Sequence, residues 1–203
     1  MTKKARENYH HGDLHQTVLD LARKRIDQGD VDKLSMRSLA KEIGVAHRAI
    51  YNHFADKDAL LSAVAATGYH ELANLLGKTK DAAEFVRVYA TFALSHRNLY
   101  AIMMNRSYTQ FENIPALRAG ADAMIGRSIA LLAPGQGSDD DKRRAVMRYW
   151  MLVHGGIGLH SSSVLKARPD EDFINELLAV AGLGPEPDEA AQPLWSTNKE
   201  PPQ

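Results

Sequence analysis

His47, Arg48 and Asn52 fall on the outward side of a short segment whose inward residues are apolar. A short helix with an exposed polar N-terminal half suits insertion into the DNA major groove. These residues belong to the run Leu34-Ser35-Met36-Arg37-Ser38-Leu39-Ala40-Lys41-Glu42-Ile43-Gly44-Val45-Ala46-His47-Arg48-Ala49-Ile50-Tyr51-Asn52-His53-Phe54. Leu39, Ala40, Ile43, Val45, Ile50 and Phe54 are spaced to lock two helices together. Gly44 lies between them, free to take a positive φ without a Cβ clash, so the chain can reverse in a few residues. Lys33, Arg37, Lys41, Arg48 and Lys57 outnumber Glu42 and Asp56 here, and Lys3, Lys4 and Arg6 form a basic arm, although the net charge of the 203 residues is zero.

Other chemistries find less support. There is no Gly-rich phosphate loop, no His-Glu-x-x-His and no nucleophile elbow. Gly155-Gly156-Ile157-Gly158 departs from a dinucleotide fingerprint and reads as close helix–helix approach. The absence of cysteine excludes a disulfide scaffold, a thiolate zinc site and a Cys nucleophile. His10 and His11 are adjacent, so on a helix they point to different sides, and a helix entry near the DNA backbone fits them better than a metal site. His96 and His154 are open to two readings, a metal pair or buried imidazoles satisfied by hydrogen bonds. No metal, no cofactor and no enzymatic activity are expected.

The elements that must position these residues are helical. Leu14, Val18, Leu21, Ala22 and Ile26 mark one face of a first helix, with Gly29 just past its end. Ser35 is a good N-cap for a second helix, and Gly44 stops it. Ile50, Tyr51 and Phe54 mark a third. Leu60, Leu61, Val64, Ala65, Leu72, Leu75 and Leu76 mark a longer fourth, ending at Gly77. Further helices are expected near 82–95, 98–109, 115–132, 141–163 and 170–182. No strand alternation or repeat is found. The fold class is all-α with about nine helices.

Ser35-x-Arg37-x-Leu39-Ala40-x-x-Ile43-Gly44-Val45, followed by Tyr51-x-His53-Phe54-x-x-Lys57-x-x-Leu60-Leu61, resembles the TetR/AcrR family of bacterial transcriptional regulators. Tyr9-His10-His11-Gly12-Asp13-Leu14, His96-x-x-Leu99-Tyr100-x-x-Met103 and Trp150-x-x-x-His154-Gly155 are similar to a branch with a Trp-His-Gly C-terminal domain. The resemblance implies that Arg37, His47, Arg48, Ala49 and Asn52 face base edges, and that Tyr51, His53 and Lys57 hold phosphates. An Arg fork can read guanine O6 and N7 together, whereas phosphate contacts set register only. Two residues depart from the family pattern. Ala46 stands where Ser or Thr usually caps the recognition helix, and Arg48 stands where many members have a small residue.

The same resemblance implies a small-molecule pocket in a helical body, near Phe92, His96, Met103, Tyr108, Trp150 and His154. It implies a homodimer through the last two helices, with stripes at Val146, Trp150, Val153 and Ile157 and at Phe173, Ile174, Leu177 and Leu178. The domains read as 1–57 DNA-binding, 58–182 ligand-binding and dimerisation, and 183–203 a disordered acidic, Pro-rich tail carrying Trp195. The basic start lacks an apolar core, and no apolar run approaches about 18 residues, so a soluble cytoplasmic protein without membrane contact is expected. The function expected is a ligand-responsive repressor on a palindromic double-stranded operator. The alternatives are a helical protein–protein interaction module with a weakened DNA head, or an enzyme.

Overall fold

The computed structural model describes residues 14–133, 135, 137–162, 164 and 169–184. The expected basic arm, the His10–His11 pair, and all but the first residues of the expected tail, Trp195 included, lie outside them. Ten α-helices and no strand occur among the described residues.

Three helices form a head. Helix α1 (Leu14–Asp27) buries Val18, Leu19, Ala22 and Ile26. Helix α2 (Met36–Ile43) starts at Ser35, whose hydroxyl accepts from the Ser38 amide while the Ser38 hydroxyl accepts from the Ser35 amide. It ends at Gly44, which sits at φ +81° and donates to the Ala40 carbonyl. That left-handed conformation is open to glycine at little cost. Helix α3 (His47–Tyr51) follows at once.

Helix α4 (Lys57–Leu76), capped by Asp56, is the axis of the molecule. Its buried residues lie on all sides, among them Leu60, Val64, Tyr69 and Leu72, as expected of a helix enclosed by neighbours. It packs on α1, on α5 (Ala82–Ser95), on α6 (Arg97–Met104) and most extensively on α8 (Pro115–Leu132). Small residues permit the close approach to α8. A Cβ on Gly120 would lie 2.9 Å from Tyr69 Cβ and 3.1 Å from the Ala66 carbonyl oxygen.

The helix expected at 98–109 is two. Helix α6 stops at Met104, and Ser107 opens a new helix, α7 (Tyr108–Asn113), through a reciprocal capping box with Gln110. That division makes ten helices of the expected nine. Helices α9 (Asp139–Ser161) and α10 (Asp170–Val180) close the body. Both expected dimer stripes turn inward. Val146, Val153 and Ile157 are buried, as are Phe173, Ile174, Leu177 and Leu178, where α10 packs on α5 and α9. Gly156 serves this packing, since a Cβ there would meet Leu177 at 3.0 Å; Gly155 and Gly158 face open space. No described helix is long and apolar enough to cross a membrane.

Candidate nucleic-acid interface and ligand cavity

Leu39, Ala40, Ile50 and Phe54 are buried beneath the helix-turn-helix. Arg37, His47, Arg48, Tyr51, Asn52 and His53 are exposed, and Ala49 is half-buried. The head therefore presents donors outward over an apolar base. Among the described residues Arg37 and Arg48 have no carboxylate partner, whereas Arg25 pairs with Glu42 at 2.5 Å and ties α1 to α2. His47 meets Tyr51 edge-on at 4.9 Å between ring centroids. Ala46 makes no side-chain cap on α3.

Lys57 differs from its neighbours. Its ammonium donates to the Val31 carbonyl at 3.2 Å, so it holds the turn before α2. His15 is a residue the sequence did not single out. It stacks on Phe54 at 4.7 Å and meets His53 edge-on at 6.1 Å, beside the recognition helix. Its α1 position alone carries no sign of this pairing, which arises only when α1 lies against the residues after α3.

The head is tied to the body by polar contacts. Arg23 of α1 donates to Glu71 of α4 at 2.9 Å and to Asp27 at 2.8 Å. His96, expected at the pocket, lies here instead, 3.4 Å from the Arg23 guanidinium and 3.7 Å from the Asp27 carboxylate. Asn98 donates to the Ile26 carbonyl at 3.1 Å, satisfying an end group of α1.

His154 sits behind Trp150, 6.0 Å between ring centroids, and is engaged by two tyrosines. Tyr100 hydroxyl is hydrogen-bonded to its Nδ1, and its Nε2 lies 3.3 Å from the Tyr89 hydroxyl. The Tyr89 and Tyr100 rings meet edge-on at 6.2 Å between centroids. One neutral tautomer serves both contacts: Tyr100 donates to Nδ1, and Nε2–H donates to Tyr89. Burial lowers the His154 pKa from 6.5, keeping the imidazole neutral, and burial likewise raises both tyrosines. The two histidines read as a metal pair thus belong to separate clusters.

A cavity of about 420 Å³ opens between α4, α7, α8 and α9. Tyr69, Phe111 and Trp150 supply aromatic walls, and Ala121, Met124 and Ile125 supply aliphatic ones. Glu112, Arg118 and Asp122 complete the lining with charge. The Tyr69 hydroxyl donates to the Met103 carbonyl at 2.9 Å. Of the expected pocket residues, Trp150 lines this cavity; Phe92 and Met103 are buried in the core between helices. Tyr108 opens α7, and its side chain is outside the described set. Helix α7 was not expected as a separate element, and Phe111 and Glu112 lie beyond the helix expected at 98–109.

Two family descriptions match the chain. Residues 18–64 match bacterial regulatory proteins of the tetR family, and residues 82–181 match a tetracyclin repressor-like C-terminal domain. HTH-type transcriptional regulators of Staphylococcus aureus are 37% identical over 60 residues, which is 30% of this chain and 29% of theirs. A protein of unknown function from Rhodococcus sp. RHA1 is 27% identical with a TM-score of 0.69, over 89% of this chain and 100% of that one. ActR of Streptomyces coelicolor, a TetR family protein solved in complex with (S)-DNPA, shares the fold with a TM-score of 0.54 and 22% identity. That alignment covers 84% of this chain and 86% of ActR. A possible TetR family regulator from Streptomyces coelicolor A3(2) has a TM-score of 0.51 at 22% identity, over 85% of this chain and 75% of that one.

Proposed function

Since this chain belongs to the TetR family, whose members are DNA-binding transcriptional regulators and not enzymes, we propose that it is a ligand-responsive repressor acting as a homodimer on an inverted-repeat operator. The observation that carries this reading is the head: a helix-turn-helix with an apolar base, whose outward Arg37 and Arg48 have no carboxylate partner among the described residues. Arg37, His47, Arg48, Ala49 and Asn52 face base edges in this reading, and Tyr51 and His53 face phosphates. Lys57 does double duty, bracing the turn at Val31 while its charge adds to the phosphate-facing surface.

The effector site is the cavity walled by Tyr69, Phe111 and Trp150. ActR was solved with a small molecule bound, which makes a small-molecule role for this body the natural analogy. The dimer uses the outward face of α9, opposite to the stripes the sequence suggested. Met147 and Met151 are exposed there at 40% and 64%, Leu159 follows at 45%, and Gly155 and Gly158 leave room for a helix to approach. Two heads on a two-fold axis read half-sites about 34–36 Å apart, or a multiple. An effector releases DNA only through its differential affinity for two head spacings, and DNA must weaken effector binding by the same factor.

The test is a footprint on DNA flanking the gene, at about 0.1–0.15 M salt because affinity is steeply salt-dependent. Protection of a two-fold symmetric site is the expected result. No protection, with random DNA also unbound, would shift the reading to a protein–protein interaction module.

A further inference from the structure

The cavity walls carry chemistry that narrows the effector. Tyr69, Phe111 and Trp150 come from three different helices, α4, α7 and α9, and turn onto one space of about 420 Å³. That volume lies within the roughly 300–1,000 Å³ of small-molecule pockets. Tyr69 and Phe111 stand edge-to-face at 5.9 Å, so a π face and a ring edge meet the same space. Burial pushes the Tyr69 pKa up to about 12, against an opposing pull from Arg106, so its ring is that of a neutral phenol.

The charged part of the lining is unbalanced. Asp122 and Arg118 form one loose pair at 3.7 Å. Glu112 has no cation partner among the described residues. Arg106, the cation that acts on Tyr69, is already held by Asp58 at 2.8 Å and bonded to Ser62 at 3.2 Å. One carboxylate is thus left over beside three aromatic rings. Ring faces attract cations and not anions, and the uncompensated carboxylate favours the same sign.

Resting on the reading of this cavity as the effector site, we infer that the effector is a lipophilic cation: an aromatic or bulky apolar body carrying one delocalised or quaternary positive charge. The apolar body fills the space between Met124, Ile125 and Ala121. The charge lies against the rings, on the side of Glu112. An anion of the same shape meets that carboxylate and the negative ring faces.

Tetraphenylphosphonium and tetraphenylborate share a shape and differ in sign, so the pair isolates the charge. Titration calorimetry of the full chain with each, at 0.15 M salt, should show the phosphonium binding on the order of tenfold tighter. The double variant Glu112→Gln, Asp122→Asn should erase most of that preference. Both side chains are exposed, so it should melt like the parent. Trp150→Ala should weaken the phosphonium. Equal affinities, a preference for the borate, binding of neither, or a preference untouched by the double variant would overturn the inference. The regulator reading is scored separately on footprinted DNA. If a neutral or anionic compound alone releases the DNA, that reading stands and the cation class falls. If the phosphonium binds with the expected preference and DNA is never bound, the reverse holds.

Discussion

Arg37 and Ala46 show what single side chains decide in the head. Arg37 is exposed, with no carboxylate partner among the described residues, so its donors are free for a guanine edge. Arg37→Ala should weaken a footprinted site by about 1–3 kcal/mol more than random DNA, read in parallel binding titrations. Ala46 leaves the first turn of α3 without a side-chain acceptor. Ala46→Ser should add about 1 kcal/mol and raise the melting temperature by roughly 2–4 °C. His154 sets a pH dependence. Its half-buried imidazole has a pKa below the 6.5 of the unfolded chain. Below that pH the unfolded state takes up a proton that the folded state refuses, so stability falls with acidification and is regained as pH rises. Urea melts between pH 5 and 8 should show that slope, and His154→Gln should flatten it. The head residues were legible because their signals are local: a cap at Ser35, a turn at Gly44, polar residues on one side of a short helix. His15 was not, because its partners Phe54 and His53 reach it only through the packing of α1.

Helix boundaries followed the same rule. Where glycine, a cap residue or proline marks an end locally, the expected and observed elements agree, as at Gly29, Gly44, Gly77 and Pro115. The break between α6 and α7 carried such a mark too, in Ser107 and Gln110 three residues on, and the apolar run through Tyr100, Met103 and Met104 hid it. Facing directions were harder. Helical spacing identifies a buried face but not what covers it. The stripes through Val153 and Phe173 read as facing a second copy in preference to packing within the chain, and both residues are buried within the chain. Most of the cavity's lining escaped for a related reason, since it is gathered from positions between Tyr69 and Trp150 that only the packing of four helices brings together. Close packing between elements also sets a tolerance. Gly120→Ala would drive a methyl group into Tyr69 Cβ and the Ala66 carbonyl, with α4 and α8 obliged to part. A loss of about 1–3 kcal/mol in urea unfolding is expected, while Gly126→Ala, on the same helix with nothing near its Cβ, should be neutral or better.

At the scale of the whole molecule, α9 buries Val146, Val153 and Ile157 inward and leaves Met147, Met151 and Leu159 exposed, the face proposed for the dimer. Met151→Glu alters a residue 64% exposed, so protomer stability should change by less than about 0.5 kcal/mol. Sedimentation should nevertheless report a monomer in place of a dimer, and operator affinity should drop with it, since one head then reads one half-site. The contact of Asn98 with the Ile26 carbonyl has a consequence of another kind. A last-turn carbonyl of the first helix, already bonded to the Gly29 amide, takes a second donor from the sixth, and Arg23 bridges to Glu71. The helix-turn-helix head and the helical body should therefore melt in one cooperative transition, read by calorimetry, and not as beads on a string. A severed head would unravel from its first helix backward, and evolutionary exchange of heads between bodies would have to carry this seam along with the recognition helix.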